Sequence, residues 1–160
     1  MTEDGEVTTD LHIGRKMKHE MYRPMETHLE FTTEEIVVPA REAGLEAGAE
    51  VEFRGIVREM ENGRAIGGLE YEAHLPMVRK ELEKIFDQLN TTAPCQAVWF
   101  IHRLGWVPVG EASLYIRVQA SHRGDAFQFC MALIDLLKRD VPIWKLTPPP
   151  ADAGEGLRPG

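Results

Sequence analysis

The chain has 160 residues, 43% hydrophobic and 28% charged, with a formal net charge of -8. That length holds one sizeable core, and the composition is that of a globular protein, not a disordered or fibrous one. The negative field argues against a general nucleic-acid or anionic-membrane binder, so an anionic ligand needs a local cluster of cations to hold it.

No apolar run approaches the roughly 20 residues that span a bilayer. The acidic start, MTEDGEVTTD, lacks the pattern of a secretory signal or an Arg-rich transit peptide. A cytoplasmic location is the resulting expectation. Cys95 and Cys130, the two cysteines, give neither a disulfide framework nor a paired metal spacing, and they read as small buried hydrophobes.

In chain order, residues 1–26 read as a polar, flexible arm, with His12 and His19 part of it and not a metal pair. Residues 50–59, EVEFRGIVRE, alternate with a period of two: Val51, Phe53, Gly55 and Val57 on one face, Glu52, Arg54, Ile56 and Arg58 on the other. After the turn signal Asn62-Gly63, residues 66–73 alternate again, which predicts a strand paired back onto the first. Pro76 opens a helix with Val78, Leu82, Ile85 and Leu89 as its apolar stripe.

AVWFIH (97–102) suits a buried strand, and ASLYIRVQA (112–120) alternates cleanly. A second helix covers about 125–139, its stripe of Ala126, Cys130, Leu133 and Leu137 widened by Phe127 and Ile134, so it is expected to be largely buried. Pro142 prevents its continuation. PPPADAGEGLRPG reads as an irregular tail. The elements predict an α+β or mixed α/β class with antiparallel pairing, organised as an arm (1–26), one domain (27–147) and a tail (148–160).

Ser121-His122-Arg123-Gly124-Asp125 joins a strand to that second helix. Ser121 or Asp125 can cap it, and free backbone N–H groups at such an end favour an anion. His122 and Arg123 add donors there, the planar fork of arginine suiting two phosphate oxygens at once. Pairing of Arg123 with a surface carboxylate explains it equally well.

Lys138, in the last helical turn, is explained by the helix macrodipole. Lys145 follows the apolar VPIW run, which is expected to be packed, and an ammonium beside apolar walls can have a lowered pKa and act as base or nucleophile. Spacing alone still favours an ordinary structural role for both. Arg58 can equally be a solvated strand end, and His102 reads as a histidine hydrogen-bonded in place. Tyr71 and Trp144 read as core or pocket wall.

Taken in order, FRGIVRE (53–59), LEYEAHLPM (69–77), IHRLGWVPVGE (101–111), ASHRGDAF (120–127) and LLKRDVPIWK (136–145) resemble the molybdopterin synthase large-subunit family. The resemblance implies an α/β-hammerhead-containing fold with antiparallel strands and two main helices. It also implies a homodimer within a heterotetramer, completed by a small ubiquitin-like sulfur carrier whose C-terminal Gly-Gly is a thiocarboxylate. Two sulfurs would pass to cyclic pyranopterin monophosphate (precursor Z), forming the molybdopterin dithiolene without metal or cofactor. On this resemblance Arg58, His122, Arg123, Lys138 and Lys145 bind substrate. Lys138 leads the chemistry with Lys145 beside it, and His122 and Arg123 reach the site across the dimer interface. The likeness ends after Lys145, where Leu146-Thr147-Pro148 stands in place of another basic residue and Glu.

Two other readings stand beside it. One is a non-catalytic homologue that keeps the dimer and carrier-binding surface. The other is a rhodanese-like sulfurtransferase using Cys95 or Cys130, though neither lies in an evident anion-binding loop.

Overall fold

The computed structural model describes residues 24–41 and 46–146, so the expected N-terminal arm up to residue 23 and the tail from residue 147 lie outside it. Among the described residues, strands β1 (Glu26–Thr32), β2 (Ala49–Ile56), β6 (Ala97–Arg103) and β8 (Ala112–Ala120) form one four-stranded sheet, ordered β1-β6-β8-β2. β1 lies parallel to β6, and the other two pairings are antiparallel. Helices α1 (Leu75–Thr92) and α2 (Arg123–Asp140) pack on this sheet's apolar face. A smaller antiparallel sheet joins β7 (Gly105–Pro108), β5 (Gly68–Ala73) and β9 (Ile143–Leu146), in that order. No described helix is long and apolar enough to cross a membrane.

The alternation read in β2 holds: Val51, Phe53 and Gly55 are partly shielded while Glu52, Arg54 and Ile56 are exposed. Its partner differs from the expectation. β2 pairs with β8, and residues 68–73 pair with β7 and β9 instead. Asn62-Gly63 explains the difference. Both residues have positive φ, 50° and 77°, and they close a tight hairpin between two-residue strands β3 (Met60–Glu61) and β4 (Arg64–Ala65). The turn is spent locally, which frees β5 to leave for the second sheet. Gly105, with φ 76°, makes the matching step from β6 into β7 in a backbone region that side chains disfavour.

The predicted stripe of α1 is buried, together with Phe86, and Pro76 sits in its first turn. On α2, Ala126, Cys130, Leu133 and Leu137 are buried as expected, but Phe127 is 56% exposed and the fully buried aromatic is Phe129. At about 100° per residue, positions 129 and 127 flank the 126-130-133-137 stripe on opposite sides, and the Phe129 side is the one that meets Phe86 of α1. Fully buried Val78, Leu82, Phe100, Phe129 and Leu133 each contribute about 1.5–3 kcal/mol of burial free energy.

β8 is buried on both faces. Toward the helices it presents Leu114, Ile116, Val118 and Ala120. On the other side Arg117, 2% exposed, donates to Glu52 Oε1 from Nε (3.1 Å) and Nη2 (3.0 Å) and to the carbonyls of Pro39 (2.8 Å) and Ala40 (3.4 Å). It also lies over the rings of Trp99 and Tyr115. A buried charge needs this set of partners, and they tie the segment after β1 to the sheet.

Candidate functional site

The candidate cations fall at three places. Arg58 follows β2, three residues before Glu61 in the β3–β4 hairpin. Lys145 sits in β9, directly across from Tyr71 of β5. The two cations meet at Glu61: its Oε2 lies 4.0 Å from Arg58 Nη2 and its Oε1 lies 3.6 Å from Lys145 Nζ. Glu61 is mostly shielded, while Arg58 and Lys145 keep much of their side chains in solvent.

This arrangement corrects the expectation for Lys145. Its cross-strand neighbour is the buried Tyr71, but its ammonium faces a carboxylate and is half in solvent. Val141 is buried, but Trp144 is 52% exposed. Alternate side chains of β9 leave on opposite faces of the sheet. Trp144 and Leu146 therefore share the outer face with Trp106, across from Glu72 and Glu70 of β5, and Lys145 points to the side of Tyr71. Tyr71 is core, as read; Trp144 is not.

Lys138 is exposed in the last turn of α2, where the helix leads through Val141 and Pro142 into β9. It makes no hydrogen bond or ion pair among the described residues, so its ammonium is available. His122 and Arg123 open α2 and are also exposed. Neither Ser121 nor Asp125 caps the helix. His122 occupies the cap position without a side-chain cap bond, and Ser121 Oγ is engaged by Gln96 Nε2. The backbone N–H groups of the first turn are thus left for another acceptor.

Arg123 and Lys138 lie at opposite ends of α2. At 1.5 Å per residue they are about 22 Å apart, so one anion cannot touch both within a single chain. Arg58 and Lys145 come together in the fold; among the described residues no hydrogen bond or ion pair links His122, Arg123 or Lys138 to them.

The remaining polar groups have structural partners. His102 is buried on β6, its Nδ1–H donating to the Arg103 carbonyl at 2.8 Å and its ring edge-on to Tyr71. Burial pushes its imidazole down to about 4, so it stays neutral, as its reading as a fixed histidine requires. The buried Cys95 thiol is pushed up to about 12 by desolvation, and Cys130 is raised for the same reason. Neither supplies the thiolate that a rhodanese-like mechanism uses.

Fold and site together define a class: an α+β domain in which a cation beside a hairpin and a cation on a sheet edge meet at one shielded carboxylate. The model of the family described as MoaE protein matches residues 26–140, and the chain belongs to that family. It is 43% identical over 100 residues to the molybdopterin synthase catalytic subunit of Arabidopsis thaliana, covering 62% of this chain and 50% of that one. The chain spans about half the length of the plant and human relatives it matches. Its fold matches the crystal structure of molybdopterin synthase from Staphylococcus aureus with a TM-score of 0.65 and 33% identity, over 72% of this chain and 87% of that one. It also matches a complex of subunits 1 and 2 of molybdopterin-converting factor from Helicobacter pylori with a TM-score of 0.54 and 27% identity, over 62% of this chain and 65% of that one.

Proposed function

We propose that this chain is the catalytic subunit of a molybdopterin synthase. In this reading it transfers two sulfurs from a thiocarboxylated small carrier to precursor Z, forming the dithiolene. The observation that carries the proposal is the convergence of Arg58 and Lys145, distant in sequence, on one carboxylate, with an exposed Lys138 in the last turn of the helix that leads into the strand of Lys145. Substrate phosphate and carrier thiocarboxylate are both anions, and the net charge of -8 repels them everywhere but at such a cluster. Family membership supports the same chemistry.

Arg58 and Lys145 hold and orient the anions, which is where proximity lowers the barrier. The Lys138 ammonium offsets charge on the oxyanion formed at the carrier's carbonyl and exchanges the proton. Sulfur arrives on the carrier, so neither cysteine need react. His122 and Arg123, about 22 Å along α2 from Lys138, serve the site of a second copy, making the working unit a homodimer. Two carriers complete a heterotetramer; the Helicobacter pylori complex of subunits 1 and 2 supports pairing with a second subunit. A cytoplasmic location, and a single domain over residues 27–147 flanked by an arm and a tail, belong to the same reading.

The test mixes the protein with thiocarboxylated carrier and precursor Z and measures molybdopterin. Product supports the proposal. Carrier binding without product favours the non-catalytic homologue, and product from a persulfide donor alone favours the rhodanese-like reading.

A further inference from the structure

The carboxylate that draws Arg58 and Lys145 together belongs to the protein itself. Glu61 lies at the end of β3, immediately before the Asn62-Gly63 turn. Its two oxygens are divided between the two cations, Oε2 toward Arg58 and Oε1 toward Lys145. Those are the contacts that an incoming phosphate or carboxylate would make. Separations of 4.0 Å and 3.6 Å are those of loose ion pairs, weaker than a charge-assisted hydrogen bond at about 2.8 Å. The hairpin that carries Glu61 has only two residues in each strand, so little backbone pairing opposes its displacement.

We infer that Glu61 is a resident substitute anion, which occupies the Arg58–Lys145 site in the empty protein and is displaced by the anionic ligand. It keeps the two cations facing one another without ligand, and it competes with any ligand that enters. This inference rests on Arg58 and Lys145 being the anion site of the proposed function, and it assigns Glu61 the regulation of that site's affinity. Glu61 is therefore a positioning residue that sets the strength and selectivity of binding: a dianionic phosphate displaces it more readily than a single carboxylate.

Isothermal titration of the full chain with inorganic phosphate, and with a short peptide ending in a Gly-Gly carboxylate, tests this. Glu61→Gln keeps the shape and removes the competing charge. Two exposed ion pairs lost to competition correspond to a gain of roughly three- to tenfold in phosphate affinity. Glu61→Ala is expected to show the same direction, and Arg58→Ala combined with Glu61→Gln is expected to lose the gain. Thermal melts of each variant establish that it is folded. Phosphate binding by Glu61→Gln equal to or weaker than wild type overturns the inference, because Glu61 would then be only a brace for the cations. Sulfur transfer is measured separately. A chain that makes no molybdopterin yet gains affinity in Glu61→Gln refutes the enzymatic reading and leaves the substitute anion standing. One that makes molybdopterin without the gain refutes the substitute anion alone.

Discussion

If Arg123 and Lys138 act in one reaction, they must come from two copies of the chain, and paired variants can show it. The α2 helix runs from Arg123 to Asp140, which places these two residues about 22 Å apart. Arg123→Ala and Lys138→Ala homodimers each carry two defective sites, so each is expected to lose most sulfur transfer. Co-expression of the two variants with different tags gives heterodimers in which one site has both defects and the other has neither. Random pairing makes half the dimers mixed, and half of their sites are intact, so the mixture recovers about a quarter of wild-type activity. The assay is molybdopterin formed per dimer, and purification through both tags raises the recovery to about half. A mixture no more active than the average of its parents refutes the cross-copy reasoning. Full activity in Arg123→Ala alone removes Arg123 from the site.

Two further outcomes follow from the packing. Arg117→Ala removes the donor to Glu52, Pro39 and Ala40; Glu52 is partly solvated, so the expected loss is about 3 kcal/mol, or about 10 °C in Tm, and a loss under about 1 kcal/mol contradicts the account. His102, pushed down to about 4 by burial, has an unfolded value near 6.5, so the unfolded chain binds the extra proton between those values. Its contribution is complete above about pH 6.5 and is lost as pH falls toward 4, on the order of 3 kcal/mol in total. Urea midpoints measured across that window are expected to fall less steeply in His102→Gln, and an unchanged slope would sink the assignment.

Periodicity carried the long elements because a strand with one core face and a helix with one buried stripe write their geometry into residue order. β2, α1, β6, β8 and most of α2 were legible for that reason. Pairing was not. Asn62-Gly63 announces a hairpin, but nothing local says that its strands are two residues long and that β5 then departs for β7 and β9. Phe127 and Phe129 are both plausible stripe members, and only the contacts of α2 choose between them. At the site, Arg58 and Lys145 were singled out as residue types in a family pattern. Glu61 was missed, although its spacing of three from Arg58 and its place at a tight turn were visible signals. The ion pair of Lys145 with Glu61 depends on β9 pairing with β5 and on where the β3–β4 hairpin lies, which are properties of the fold and not of VPIWK.

The central claim is that Lys138 serves sulfur transfer from a carrier thiocarboxylate, and single-turnover formation of molybdopterin from precursor Z tests it most directly. Wild type is expected to form product, and Lys138→Ala, folded and still binding the carrier, to form it at least about 100-fold more slowly, the usual worth of a positioned acid–base group. Equal rates in the two proteins, or no product from wild type with a competent carrier, would contradict the account.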